Sequence, residues 1–286
     1  MNEWLLNMKK KHLLFVSILI VLAFGGCGPT ERDRTVIREM IDGATAQKGA
    51  QEKVQAIRKA MIDEAYCCVF TEIPVTVDGL LTEAVWSRAK LTPFVTPMSL
   101  EKPISKTEAW MAYDKDYLYV AFKAYDRDIW GLVTERDSGV SGEDVLEVFF
   151  KTHPARDPYF NFEMNIRGAV TDAFNVKRNA AVNYKRWSQW DCAGLKMAST
   201  FKGTVNDWKD EDEFWILEAA IPFAEIPTLA GRSPARGDQW LFTLSRIDYS
   251  IYLPDGRETS ASAPITVQHP PGAFHWYEDW RKLIFE

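Results

Sequence analysis

Apolar and polar residues alternate along most of the chain after about residue 69. In segment 107–125, two runs with aromatic and β-branched residues flank a polar turn at 113–117. A period of two with these residue types is typical of β-strands, and the pair predicts a β-hairpin. Turn residues at roughly 8 to 20 residue intervals then predict an all-β protein with a two-sheet antiparallel β-sandwich. The other predicted strands are 145–151, 159–166, 169–175, 195–201, 214–221, 239–248 and 282–285.

Residues 31–66 follow a different period, because their apolar side chains recur at helical spacing among charged ones. Gly43 and Gly49 separate two amphipathic stretches, which favours a helix, a break and a second helix. We therefore expect residues 27–68 to form a helical stalk or linker and residues 69–286 to form the sandwich domain. Shorter helices are predicted at 81–89 and 223–226.

The first 26 residues have the layout of a signal peptide, since three lysines precede an apolar run at 13–24 that is short for a bilayer span. The run ends in Gly25-Gly26-Cys27, which resembles a bacterial lipobox and predicts Cys27 as the lipidated first residue. Phe24 stands where a lipobox usually has an aliphatic residue, so plain cleavage and an uncleaved anchor remain alternatives. The expected location is the cell envelope, lipid-anchored in the outer membrane or facing the periplasm.

Charge and cysteine content limit the partners. Removal of residues 1–26 takes away three lysines and Glu3, so the net charge of −6 becomes −8, and nucleic acid is excluded as a partner.

With Cys27 lipidated, an odd number of cysteines remains. One of Cys67 and Cys68 could bridge to Cys192, or all three could be buried free thiols; their spacing does not suit zinc.

Seven short motifs follow one another in a characteristic order, including Val77-Asp-Gly-Leu-Leu-Thr-Glu-Ala-Val-Trp86 and Glu143-Asp-Val-Leu-Glu-Val-Phe-Phe150. This series resembles family 9 carbohydrate-binding modules and related bacterial envelope domains. The resemblance implies a sandwich that binds sugar at a shallow site and has no catalytic machinery. The remaining motifs are 112–122, 159–165, 190–195, 215–222 and 237–240.

A sugar presents C–H faces that stack on aromatic rings and hydroxyls that pair with polar side chains, so a site needs both. In the family, the second glutamate of the acidic strand motif faces the sugar, which implies this role for Glu147. Asn165 is the next polar candidate, and Glu163 shares its strand face by period two. Packed carboxylates could equally bind calcium, which occurs in similar modules; no other cofactor is expected.

Sugar-binding members of the family carry a tryptophan just before the acidic motif, whereas this chain has no aromatic residue near Ser141. Trp130 in the preceding loop is a candidate replacement, and Arg136 could orient a carboxylate or a sugar hydroxyl, with a surface ion pair as its ordinary role. Burial in the core is the alternative role for the other aromatic candidates. These are Trp187, Trp190, Trp276 and Trp280.

The sequence thus predicts a non-catalytic carbohydrate-binding lipoprotein. One alternative is an envelope lipoprotein with a structural or interaction role that has lost sugar binding. Another is a haem-binding electron-transfer domain, although no haem-attachment motif occurs. A hydrolase that uses neighbouring acids such as Glu143 and Glu147 is disfavoured, because the resemblance supplies no catalytic pair.

Overall fold

The computed structural model describes residues 31–178, 190–266 and 273–286. The chain divides into two units, Met1–Lys53 and Val54–Glu286. The predicted signal peptide, Cys27 and Trp187 lie outside the described residues. The helices are α1 (Glu31–Asp63) and α2 (Ala84–Arg88), with 3-10 helices at Val140–Gly142, Phe223–Glu225, Pro227–Leu229 and Ala273–His275. The strands are β1 (Tyr66–Phe70), β2 (Thr107–Tyr113), β3 (Tyr117–Tyr125), β4 (Val145–Lys151), β5 (Tyr159–Asn165), β6 (Val170–Asn175), β7 (Lys196–Lys202), β8 (Phe214–Pro222), β9 (Gln239–Tyr249), β10 (Arg257–Ala261) and β11 (Arg281–Phe285).

Helix α1 is continuous over 33 residues, so the predicted break at Gly43 and Gly49 is wrong. A glycine inside a helix costs about 1 kcal/mol relative to alanine, but it leaves the backbone hydrogen bonds intact. No proline lies between residues 31 and 63 to interrupt them. Among the residues the structure describes, no helix has the length and apolar character needed to cross a membrane.

The last turns of α1 are fixed to the strand domain. The guanidinium of Arg281 donates to the backbone oxygen of Met61 at 3.1 Å and to Thr92 Oγ1 at 2.9 Å. Arg58 pairs with the buried carboxylate of Asp279, which also accepts hydrogen bonds from Thr266. Because Arg281 is buried, these bonds satisfy a charge that could not be left unpaired.

The eleven strands of the described residues belong to one curled sheet, in the order β6-β5-β4-β9-β11-β1-β2-β3-β8-β7, with β10 paired to β9. The all-β class is confirmed, whereas the division into two separate sheets is not. Strand β1 joins the halves, because Tyr66–Cys68 pairs in parallel with β11 and Val69–Phe70 pairs in parallel with β2. Strands β1 and β10 are not among those predicted from the sequence.

Both halves of the sheet contribute to one apolar core. Phe122 and Leu217 from the β2-β3-β8 half join Phe150, Phe162 and Phe242 from the β4-β5-β9 half in this cluster. The predicted strands agree with the structure to within about a residue at each end, because one face of each strand packs into this core. The three described cysteines are free thiols, and Cys68 and Cys192 are buried.

The opposite face of each half is covered separately. Trp86 of α2 packs on Tyr119 and Ala121 of the β2-β3-β8 half. On the β4-β5-β9 half, a second cluster forms where Phe274 and Trp280 pack on strand residues, and this outer face also carries the polar side chains described next.

Candidate functional site

The outer face of β4, β5 and β9 places two glutamates side by side. Strand register pairs Glu147 with Glu163 on one side and with Ser245 on the other. Successive side chains of a strand point to opposite faces, so residues directly opposite each other share a face. Leu146 and Val148, the neighbours of Glu147 along β4, point into the core instead. The predicted proximity of Glu147 to Glu163 is therefore present in the structure.

Glu147 of this pair is buried and Glu163 is half-buried. Glu147 is 3% exposed and accepts a 2.7 Å hydrogen bond from Ser245 Oγ. Burial, and then the charge of Glu163, raise the pKa of Glu147 to about 8. Burial likewise raises the pKa of Glu163 to about 7, opposed by a hydrogen bond from Asn161. The pair therefore retains a proton at pH values where an exposed carboxyl group has lost it.

Two asparagines extend the polar face beside the pair. Asn175 Nδ2 donates to Asn161 Oδ1 at 2.7 Å, and Asn161 Nδ2 donates to Glu163 Oε1 at 3.3 Å. Neither asparagine is among the site residues predicted from the sequence. The alternation that selected Glu163 also places Asn161 on this face, whereas Asn175 reaches it only through the β5–β6 pairing. Amide groups provide both donors and acceptors for hydroxyl groups.

A set of aromatic and basic side chains, here called the aromatic and basic group, lies where β4 ends and β5 begins. Tyr159 OH is 2.8 Å from His275 Nδ1, and burial lowers the pKa of His275 to about 4, so its imidazole is neutral at neutral pH. Lys151 Nζ lies 3.8 Å from the ring centroid of Tyr277. Arg178 lies over Tyr277 as well and pairs with Glu278. This group combines rings with polar donors, the two features that sugar binding requires.

The structure separates the predicted tryptophans. Trp276 is half-buried, with the Arg178 guanidinium 3.9 Å from its ring centroid, and belongs to the aromatic and basic group. Trp280 is buried on the same outer face, where its Nε1 donates to Phe274 O at 2.7 Å, so its contacts are structural. Trp190 packs on Phe160 and other core rings, so it lies on the opposite side of the sheet.

Asn165 is on β5 with Glu163, but its hydrogen bonds hold a turn and a loop. Its Oδ1 accepts from the backbone amides of Arg167 and Ala169, and its Nδ2 donates to Val133 O and to Glu143. Glu143 also accepts from the amides of Leu132 and Val133. These contacts use the side-chain donors and acceptors of Asn165 for structure.

The remaining two predicted residues lie in the same loop region. Trp130 is half-buried, and its backbone amide donates to Asp144 Oδ2 at 2.6 Å. Arg136 pairs with Asp172 and with Asp191. Asp172 is opposite the core residue Phe162, so Arg136 binds on the side of β6 that faces away from the glutamate pair.

The aromatic ring that the sequence lacks near Ser141 comes from β9. Tyr249 OH donates a 3.4 Å hydrogen bond to the backbone oxygen of Ser141. Tyr249 follows Ser245 by four residues on the same strand, so both lie on the outer face. Sequence reasoning missed this tyrosine, because its separation from Ser141 is 108 residues.

Two groups of three aspartates could in principle hold a cation. Asp126, Asp144 and Asp248 are buried, with carboxylate oxygens within 4.8 Å of one another. The buried Arg246 guanidinium already lies 2.7 Å from Asp126 and 3.3 Å from Asp248. In the second group, at Arg136, the aspartates are Asp137, Asp172 and Asp191. Neither group includes Glu147 or Glu163, the carboxylates for which calcium was considered.

Solved structures share this fold. A candidate carbohydrate-binding protein from Bacteroides uniformis has 16% sequence identity and a TM-score of 0.57, covering 78% of this chain and 99% of that one. A family 9 carbohydrate-binding module from Caldicellulosiruptor kristjanssonii, solved with glucose, has 13% identity and a TM-score of 0.51, covering 78% of this chain and 96% of that one. A family 9 module from the same organism, solved with cellotriose, has 13% identity and a TM-score of 0.53, covering 78% of this chain and 94% of that one.

These likenesses show that the strand domain has the fold of family 9 carbohydrate-binding modules, as the motif series indicated. The identities are too low to transfer a ligand or a residue role. No model of a known protein family matches the chain, and no curated protein is significantly similar to it.

Proposed function

We propose that this protein is a non-catalytic carbohydrate-binding protein, held at the bacterial cell envelope by a lipid on Cys27. The glycan binds the outer face of β4, β5 and β9, where Glu147, Glu163 and Asn161 meet its hydroxyl groups. Trp276 and Tyr249 supply rings on either side of this polar centre. Neutral sugars are bound by the fold neighbours solved with glucose and cellotriose, which supports a saccharide as the ligand class.

The observation that carries the proposal is the pairing of Glu147 with Glu163 beside the Asn161 and Asn175 amides. Burying two carboxyl groups side by side destabilises a fold, since each loses its hydration and like charges repel. Ordinary packing would favour apolar residues on this face. A ligand that pairs with these groups gives a reason for keeping them.

The membrane attachment follows from the lysines before the apolar run and from the Gly25-Gly26-Cys27 sequence. Helix α1 begins four residues after Cys27, and the chain divides into two compact units after Lys53. A helix of 33 residues is about 50 Å long at 1.5 Å per residue, which suits a spacer. Mass spectrometry of the membrane fraction should find an acylated Cys27, and Cys27→Ala should release the protein.

Glycan binding is tested with the full-length protein in a detergent that has no sugar headgroup. Affinity electrophoresis against a broad polysaccharide panel should show retention, followed by calorimetry with the retained glycan. Glu163→Ala and Trp276→Ala should each weaken binding about tenfold or more, because they remove a hydrogen-bonding and a stacking group.

The control variant is Glu213→Gln, which changes an exposed acid paired with Lys202 at the start of β8. It should bind as the wild type does. A folded protein that no glycan in the panel retains would refute carbohydrate binding and leave a structural envelope role.

A further inference from the structure

The glutamate pair has no cationic partner among the described residues. Glu218 is a buried acid that also lacks one, but three N–H groups donate hydrogen bonds to it, and several other buried acids pair with a cation. Asp126 lies 2.7 Å from Arg246, Asp279 pairs with Arg58, and Asp172 pairs with Arg136. In the described part of the chain, no lysine, arginine or histidine nitrogen lies within 4.0 Å of Glu147 or Glu163. Their side-chain partners are the neutral groups of Ser245 and Asn161.

The nearby basic groups are engaged elsewhere. Arg257 on β10 attracts Glu147 electrostatically, but its guanidinium lies 5.3 Å from the ring centroid of Tyr249. Lys151 on β4 lies over Tyr277, and Arg178 pairs with Glu278. His275, in the segment packed on this face, is neutral because burial lowers its pKa to about 4.

A cation brought by the ligand would therefore meet an unpaired acidic pair. Ser245 Oγ and Asn161 Nδ2 already donate hydrogen bonds to the two carboxyl groups, so the surroundings of the pair suit a ligand that binds through hydrogen bonds. A calcium ion needs six to eight oxygen ligands, and a donor N–H group does not provide one. An ammonium group instead donates three hydrogen bonds and can bridge two carboxylates.

Building on the proposed carbohydrate function, we propose that the ligand is an amino-sugar glycan with free amines, whose ammonium group binds between Glu147 and Glu163. Sugar hydroxyl groups bind the Asn161 and Asn175 amides next to the pair. Entry of the ammonium group displaces the protons that the two carboxyl groups retain, so binding releases protons to solvent. A neutral sugar forms the hydroxyl contacts alone.

The test is calorimetry on the full-length protein, in a detergent without a sugar headgroup, with three trisaccharides. These are the fully deacetylated glucosamine trimer, its N-acetylated form and cellotriose. The glucosamine trimer should bind at least about tenfold more tightly than the two neutral trimers. Repeating the titration at about pH 6, below the pKa of both glutamates, in buffers of different ionisation enthalpy should show release of about one to two protons.

The variant that tests the site is Glu163→Gln, which keeps the size of the side chain and removes its charge. It should bring the three affinities to within about threefold of one another and abolish proton release. Glu213→Gln, the exposed control, should leave both unchanged. Circular dichroism confirms that each variant is folded.

Equal affinity for all three trimers would overturn the amino-sugar inference and leave the proposed function intact. Tight binding of the glucosamine trimer that Glu163→Gln does not weaken would overturn it too, since the amine would then bind elsewhere. Loss of binding on addition of calcium would show that the pair is a metal site. Failure to bind any trimer or any panel glycan would refute the proposed function itself.

Discussion

The carboxylate of Glu218 accepts a 2.7 Å hydrogen bond from the backbone amide of Gly79. The same carboxylate accepts from the amide of Asp78 at 3.0 Å and from Trp86 Nε1 at 2.9 Å. It lies on β8, is completely buried, and joins segments more than 130 residues apart. Two of the sequence motifs, 77–86 and 215–222, are therefore two parts of one contact.

Glu218→Gln should destabilise the strand domain by about 2 to 4 kcal/mol. A glutamine has one acceptor oxygen, so its NH₂ group would face donors that the carboxylate now satisfies, and a buried unpaired donor is costly. Urea unfolding followed by tryptophan fluorescence measures the difference. Glu213, which directly precedes the same strand, is exposed, so Glu213→Gln should change stability by less than about 0.5 kcal/mol. Equal stability of the two variants would contradict this role for Glu218.

Gly79→Ala should cost more than Gly168→Ala. Both glycines have positive φ, at 78° and 87°, so a side chain strains either position by about 1 kcal/mol. A Cβ at Gly79 would also lie 3.0 Å from the Ser199 backbone carbon, whereas a Cβ at Gly168 meets nothing within 4 Å. The difference in unfolding free energy between the variants measures the steric contribution. Equal losses of unfolding free energy in the two variants would show that the backbone near Ser199 can shift to accommodate the Cβ atom.

The strand positions could be predicted because alternation reports which side chains face a core. Alternation does not say which strands are neighbours, so the joining of both halves through β1 could not be predicted. Strand β1 follows directly on the helical segment, and the polar run Arg257–Ala261 of β10 lacks the expected apolar alternation. The continuity of α1 was missed for an energetic reason, since two glycines weaken a helix without ending it.

The candidate site was predictable only where it is local in sequence. The resemblance implies Glu147, and alternation along β5 gives Glu163 from Asn165. Tyr249 beside Ser141 and His275 beside Tyr159 depend on contacts across more than 100 residues, which no local pattern reports. Asn165 is predicted as the polar residue of the β5 motif, but its position at the end of β5 commits its side chain to the turn into β6.

Arg246→Met should destabilise the domain by about 3 to 5 kcal/mol. The guanidinium is buried between Asp126 and Asp248, and burial raises the pKa of Asp126 to about 6 even with this partner. Removing the cation leaves acids that must be protonated or remain unpaired in the interior. Adding Asp126→Asn and Asp248→Asn to this variant should recover part of the loss.

The matched control for Arg246 is Arg127→Met, which breaks the exposed pair of Arg127 with Glu211. Exposed pairs contribute about 0 to 1 kcal/mol, so this variant should stay close to the wild type. Chemical denaturation at neutral pH compares the two. A wild-type midpoint for Arg246→Met would show that the aspartates are stable without the guanidinium.

Stability should fall as the pH rises through the range in which the glutamate pair titrates. In the unfolded chain Glu147 titrates near its ordinary value of 4.5, and burial in the fold raises this pKa to about 8. The folded state therefore binds more protons between these values, so unfolding releases a proton and becomes easier with increasing pH. His275 acts in the opposite sense, because its lowered pKa removes stability as the pH falls below its ordinary 6.5. The double variant Glu147→Gln/Glu163→Gln carries neither titrating proton, so its urea midpoint should stay nearly level from about pH 6 to about pH 9 while the wild-type midpoint declines. A parallel decline in both proteins would place the alkaline sensitivity in other groups and remove the support for a buried, proton-retaining pair on this face.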